Sequence, residues 1–340
     1  MKLIVQPTDG VTPLVDAINR AQKTLDLVIF RLDLKEIEKA TEAAVSRGVN
    51  VSALIANTHS GSDKLLRQLE LRMLQKGVTV SRTGNELARY HHKLIIVDRE
   101  ELHVYGFNYT AADMNCRSLG IVTKNKPMVQ DALRLVDADT TRQEFEPLLD
   151  DFVVSPENAR EQLATFIKRA KTSLAIYDPK LTDTQMLRLL HLRAKAGVDI
   201  RVIGKVGKSA GHLRVQKMPG MRLHVRAMIR DGDTVFVGSQ SLRALELDTR
   251  REVGLIVRDG AVVKRLQKTF DEDWATTELG RKEQKQFEKE QRLATAEDVY
   301  FEMQSFVVTR TEALRRHAPL AATRRRFAPR GSRRPAGDAR

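Results

Sequence analysis

HHKLIIVDREELHVYGFN, from His91 to Asn108, reads as two short strands joined by a turn. Leu94 to Val97 is apolar and rich in β-branched residues, which suits a buried strand. The chain turns at Asp98-Arg99-Glu100 and returns as LHVYGFN. Side chains alternate between the two faces of a strand, so His91 and Lys93 share a face and His92 points away. The return strand brings Asn108 back towards His91, and Gly106 has no side chain to keep a ligand from the backbone. HVRAMIRDGDTVFVGSQS, from His224 to Ser241, repeats the pattern 133 residues later. His224, Arg226 and Asp231 stand where the first copy has His91, Lys93 and Asp98. Asp231-Gly232 is a hairpin signal, and the return strand ends on Gly238, Ser239 and Ser241. Beyond it, RREVGLIV carries Glu252 where the first copy, CRSLGIV, has Ser118.

The likeness extends upstream. LVDAINRAQKTLDL, from Leu14, aligns with LATFIKRAKTSLAI, from Leu163, so that Ile18, Arg20 and Ala21 fall on Ile167, Arg169 and Ala170. Each copy reads as amphipathic helix, apolar strand, helix ending on a glycine, and strand. That alternation predicts an α/β layered fold. The second copy is shorter between its strand VDIRVIG and the motif. It has a loop, KVGKSAGHLRVQKMPG, where the first has a helix and a strand. Residues 1–150 and 151–275 are the two repeats, joined by a linker at about Glu146 to Glu157. Residues 276–317 read as a helical extension, and 318–340 as a disordered basic tail.

Of the 340 residues 41% are apolar, enough for large cores, and the net charge is +14. Seven arginines and one acid lie between Pro319 and Arg340. Such charge suits phosphate-bearing partners, either an anionic phospholipid membrane surface or nucleic acid. The single cysteine, Cys116, excludes an intrachain disulfide and fits a reducing cytosol. Nothing approaches the roughly 20 apolar residues of a membrane span. The opening MKLIVQPTDG lacks the apolar core of about 7–15 residues that a signal peptide needs. A cytoplasmic protein, soluble or peripheral on the inner face of the membrane, is expected.

His91-x-Lys93-x4-Asp98, then six residues and a glycine-containing element ending at Asn108, resembles the signature of the phospholipase D superfamily. The second copy keeps the histidine, the aspartate, the six-residue gap and Gly238-Ser239, but has Arg226 for lysine and Ser241 for asparagine. Phe270-Asp-Glu-Asp-Trp274 resembles the closing segment of bacterial cardiolipin synthase-like proteins. The resemblance covers about Val11 to Trp274. It implies two tandem α-β-α sandwich repeats packed as a pseudo-dimer, with no cofactor and no metal. It also implies phosphodiester chemistry through a phosphohistidine, with His91 the nucleophile and His224 the acid and base.

The residue types suit that chemistry. A neutral imidazole can attack phosphorus and split one hard step into two. A second imidazole can shuttle the proton. Lys93, Arg226, Asn108, Ser239 and Ser241 are donors for the phosphate oxygens. A carboxylate that orients a nucleophilic histidine occurs only in the second copy, as Glu252, and the sequence leaves open which histidine it serves. Asp98 and Asp231 sit at turns and either take part in the chemistry or brace the loops. No Asp/Glu/His set has metal-ligand spacing. Gly204-Lys-Val-Gly-Lys-Ser209 has the wrong spacing for a phosphate loop, though Lys205 and Lys208 are placed to line the site. His59, His103, His191 and His212 read as surface or structural residues. Three functions compete: a phosphatidyl-transferring or phospholipid-cleaving enzyme, a metal-independent nuclease, and a phosphate- or membrane-binding scaffold. One chain holds both half-sites, so the chemistry needs no oligomer.

Overall fold

The computed structural model describes residues 1–57, 63–207, 211 and 213–290. His59, Lys208, His212 and the basic tail with Arg324 to Arg326 lie outside the described residues. In the first repeat the chain runs β1 (Lys2–Gln6), α1 (Thr12–Arg20), β2 (Thr24–Ile29), α2 (Lys35–Ser46), β3 (Asn50–Ile55), α3 (Asp63–Gln75) and β4 (Thr79–Arg82). It continues through β5 (Arg89–Tyr90), β6 (Leu94–Val97), β7 (Glu101–Tyr105), α4 (Ala111–Met114), β8 (Ser118–Thr123) and α5 (Lys126–Thr141). The second repeat runs β9 (Phe152–Ser155), α6 (Ala159–Lys168), β10 (Ser173–Leu181), α7 (Thr184–Lys195), β11 (Asp199–Val206) and β12 (Arg214–Gln216). It ends with β13 (Arg226–Arg230), β14 (Thr234–Gly238), α8 (Ala244–Asp248), β15 (Arg250–Val257) and α9 (Gly260–Ala275). Residues Met1–Lys282 form one compact unit, and in the rest of the chain residues 283–290 are helical.

The strands make two mixed sheets. One has the order β1-β8-β7-β6-β2-β3-β4; the other has β12-β11-β10-β13-β14-β15-β5, with β9 also on β15. Two expectations are corrected here. The linker read between the repeats contains β9, antiparallel to β15 as β1 is to β8. The loop read after β11 contains β12, parallel to β11. Both are three or four residues long, too short for alternation to show in the sequence.

Alternation along the motif strands divides the apolar side chains between cores. Leu94 and Ile96 of β6 join Ala227 and Ile229 of β13 in a shared core that includes residues of α5 and α9. Ile95 and Val97 face the α1–α2 side of the first repeat. Met228 faces the α6–α7 side of the second. On α9, Phe270 and Trp274 are buried and stack at 6.0 Å, with Phe270 edge-on to Tyr177 at 4.9 Å. The FDEDW segment is therefore a packed helix end. Its Asp273 takes two hydrogen bonds from Arg117 of the first repeat, at 2.7 and 2.8 Å.

Candidate active site

The two motif hairpins meet back to back. A Cβ built on Gly106 would lie 2.8 Å from the carbonyl oxygen of Gly238 and 3.2 Å from that of Leu119. Gly106 thus admits the backbone of the other repeat, which corrects the expectation that it admits a ligand. Across this seam each motif histidine is held by the opposite repeat. The His91 amide donates to the Arg251 carbonyl at 2.8 Å, and the His224 amide to the Arg117 carbonyl at 3.0 Å. His91 Nδ1 lies 2.8 Å from Glu252 Oε2, and His224 Nδ1 lies 3.2 Å from Asp113 Oδ2. Glu252 therefore serves His91.

Lys93 Nζ lies 3.1 and 3.0 Å from the two ring nitrogens of His91. Near-equal distances put the ammonium over the ring rather than on either lone pair. Arg226 donates to the His224 carbonyl at 2.9 Å and to Ser241 Oγ at 3.3 Å. Phe30, at the end of β2, packs edge-on to the His91 ring at 4.6 Å. Arg31 and Arg89 sit 5.4 and 5.5 Å from the Phe30 ring.

Burial sets the charge states. It pushes His91 well below its ordinary value, and the cations Lys93 and Arg226 push the same way. Burial takes His224 down to about 4, with Arg226 and Lys93 adding to the effect and Asp113 opposing it. Both imidazoles are therefore neutral near neutral pH, as a nucleophile must be. Lys93 is brought down to about 7, again chiefly by burial. Burial raises Glu252, against the pull of Lys93. Burial also opposes ionisation of Asp113, but its contact with His224 and the hydrogen bond from the Asn108 amide hold the carboxyl below its usual range.

The remaining motif residues divide into two groups. Asn108 and Ser241 are at the site, yet both are braced. The Asn108 amide and side chain each donate to Asp113 Oδ2 at 2.8 Å, and the Ser241 amide donates to Glu246 Oε2 at 2.8 Å. Ser239 is fully buried and its hydroxyl is held between the carbonyl and amide of Val253. That corrects its expected role as a phosphate donor. Asp98 and Asp231 are corrected too. Each lies past the far end of its motif strand, in a turn of positive φ, and caps a loop. Asp98 accepts from the amides of Gln22, Lys23 and Thr24, and Asp231 from those of Lys171, Thr172 and Ser173.

Asp113 was not singled out from the sequence. The signal was there: Asp113 follows Asn108 by the same five residues by which Glu246 follows Ser241. Asp113, Cys116 and His224 gather in the fold, one ligand atom of each within 4.8 Å of the others. They come from different repeats, so no sequence spacing could reveal them. His92 faces away from the site, 3.2 Å from Asp139 of α5. His103 lies between Glu101 and Tyr105, 2.8 Å from each. Lys205 is exposed.

A family model described as "Cardiolipin synthase, PLD-like domain" matches residues 14–139 and 163–274, one match on each repeat. The chain belongs to this PLD-like family. No curated protein matches it in sequence. Its fold is similar to that of polyphosphate kinase from Porphyromonas gingivalis, with TM-score 0.67 and 19% identity over 79% of this chain and 49% of that one. The chain thus spans about half the length of that protein. Phosphatidylserine synthase from Haemophilus influenzae shares the fold with TM-score 0.60 and 12% identity, over 78% of this chain and 85% of the other. Nuc from Salmonella typhimurium, a phospholipase D family member, aligns with 42% of this chain and 95% of its own, at 23% identity and TM-score 0.36. The PLD-like family supports a phosphodiester transferase or hydrolase. Among the described residues no helix is long and apolar enough to cross a membrane.

Proposed function

We propose that this chain breaks a phosphodiester by attack of His91 on phosphorus, with a phospholipid as the substrate. The observation that carries the reading is the buried pairing of His91 Nδ1 with Glu252 at 2.8 Å. Held as an Nδ1–H donor, the neutral ring keeps its Nε2 lone pair for attack. The bond from phosphorus to the leaving oxygen breaks as the bond to Nε2 forms, and His224 gives a proton to that oxygen. Water or an alcohol then gives a proton to His224 and displaces His91. Burial and, after it, the charges of Lys93 and Arg226 keep both histidines neutral; the arriving anion offsets those charges, which favours a proton on His224 when substrate is bound. Lys93 and Arg226 neutralise the phosphoryl oxygens, the role a metal ion plays in other phosphodiesterases. The family description suits a lipid substrate with transfer to an alcohol or to water, and the net charge of +14 suits an anionic membrane surface.

A second reading, cleavage of nucleic acid, is favoured by the arginines around the site. Arg31 and Arg89 flank Phe30, Arg222 pairs with Asp113, and Arg243 and Arg250 pair with Glu246. Such a rim can follow a polyanionic backbone. The test offers the purified protein phosphatidylglycerol vesicles, plasmid and single-stranded DNA, all with EDTA, beside His91→Ala and His224→Ala. Histidine-dependent lipid turnover with intact DNA supports the first reading. DNA cutting that needs both histidines supports the second. If neither substrate is cleaved while vesicles are still bound, the protein is a scaffold and the catalytic reading fails.

A further inference from the structure

We propose that Asp113, Cys116 and His224 form a binding site for Zn2+, and that the ion silences His224 rather than serving catalysis; the silencing rests on the proton-shuttle role given to His224 above. One ligand atom from each residue lies within 4.8 Å of the others, and all three residues are buried. A tetrahedral zinc with bonds of about 2.0–2.3 Å spaces its ligand atoms roughly 3.5 Å apart. Closing the set moves the Asp113 carboxylate against the hydrogen bonds it takes from Asn108 and Arg222. The donors are a thiol, an imidazole and a carboxylate, a combination that suits zinc and not the oxygen-seeking Mg2+ or Ca2+.

His224 is only 8% exposed, and its Nδ1 lies 3.2 Å from Asp113 Oδ2, so two of the three donors already face each other. That buried nitrogen faces the Asp113 side of the cluster. Cys116 Sγ makes only weak contacts, at 3.0 Å to the Asp113 carbonyl and 3.2 Å to Ser118 Oγ. The backbone is fixed on both sides, by the α4 turn under Asp113 and by the hydrogen bond from His224 to Arg117. In the alignment that sets Ser118 on Glu252, the second repeat has Arg250 in place of Cys116, so the ion would act on one histidine alone.

Binding forms a Zn–S bond and releases the Cys116 thiol proton to solvent. Zinc on Nδ1 forces the ring proton of His224 onto Nε2. In that tautomer Nε2 has no lone pair to take a proton from water or an alcohol. The ion also withdraws Asp113 from the imidazole. Zinc should therefore inhibit, and EDTA should raise the activity of zinc-loaded protein, the opposite of its effect on a zinc-dependent enzyme.

The test uses the full chain, stripped with EDTA and then freed of it. Co2+ is titrated as a spectroscopic stand-in, and Zn2+ by calorimetry. The expected result is one equivalent of metal and a thiolate-to-cobalt charge-transfer band. In Cys116→Ser the band is lost and zinc affinity falls roughly tenfold or more, while cleavage of bis(p-nitrophenyl) phosphate without zinc is unchanged. Absence of the band in the wild type, or equal zinc affinity in Cys116→Ser, overturns the site. Full zinc occupancy with undiminished turnover overturns the silencing. Band and calorimetry need no substrate, so failure of the phosphodiester reading shows separately, as no cleavage by metal-free protein.

Discussion

Replacing Glu252 by glutamine tests the chemistry most directly. Glu252 has no exposed surface, and glutamine keeps its shape. The carboxylate can only accept a hydrogen bond, so it fixes the proton of His91 on Nδ1. The amide has one accepting and one donating end. Turning its oxygen to His91 would leave the NH2 where Oε1 now lies, 4.0 Å from the Arg250 guanidinium. Donor would face cation, so the NH2 turns to His91 instead. The ring proton then moves to Nε2 and the attacking lone pair is lost. Loss of a hydrogen bond to a charged group alone is worth about 1.5–3 kcal/mol, roughly 10–100-fold in rate. A reversed tautomer in a buried histidine–carboxylate pair costs about 10⁴ in serine proteases. The expected loss in Glu252→Gln is therefore between about 10² and 10⁴ in the first step. Stopped-flow release of p-nitrophenol in a single turnover measures that step, with circular dichroism to confirm folding. A folded variant within tenfold of the wild type would refute the assignment of His91 as the nucleophile oriented by Glu252.

Three other outcomes are expected. Asp113→Asn should give a burst of about one p-nitrophenol per chain and then stall, because this leaving group departs without an acid while release of the phosphoenzyme needs His224 as base; a steady rate with no burst argues against that division of labour. Lys93, held down to about 7 by burial, loses its proton as pH rises through neutrality. Hence kcat/KM should fall on the alkaline side, and Lys93→Arg should lose that limb; an unchanged limb assigns it to another group. The folded state also binds fewer protons than the unfolded one between about 7 and the ordinary lysine value, so this residue makes stability rise with pH there, visible in urea midpoints that Lys93→Met would flatten. Gly106→Ala pushes a methyl onto two backbone carbonyls and should cost about 1–3 kcal/mol by urea unfolding; a neutral change would mean that the seam gives way freely.

The doubled His91 and His224 segments made the fold legible, because each carries a strand–turn–strand pattern inside a longer helix–strand repeat. The paired histidines and cations were legible for the same reason. What was lost depended on contacts between repeats. Glu252 was visible, but its target was not, since it lies 161 residues from His91 in the chain. Asp113 was hidden because its acid sits on a four-residue helix rather than at the place matching Glu252, where the first repeat has Ser118. Gly106 and Ser239 lie in the motif and so look like ligand contacts in the sequence, yet the packing of the seam and of β15 claims them. Asp98 and Asp231 share the motif but cap loops, since a side chain seven residues beyond the histidine lies past the other end of its strand.

The crossing of carboxylates between repeats has an evolutionary consequence. After a duplication, two fused halves are usually free to drift apart, one keeping the work while the other decays. Here a change in the acid of either half strikes the histidine of its neighbour, so neither can be retired without disabling the other. The two halves have still diverged around that exchange, with lysine against arginine at 93 and 226 and asparagine against serine at 108 and 241.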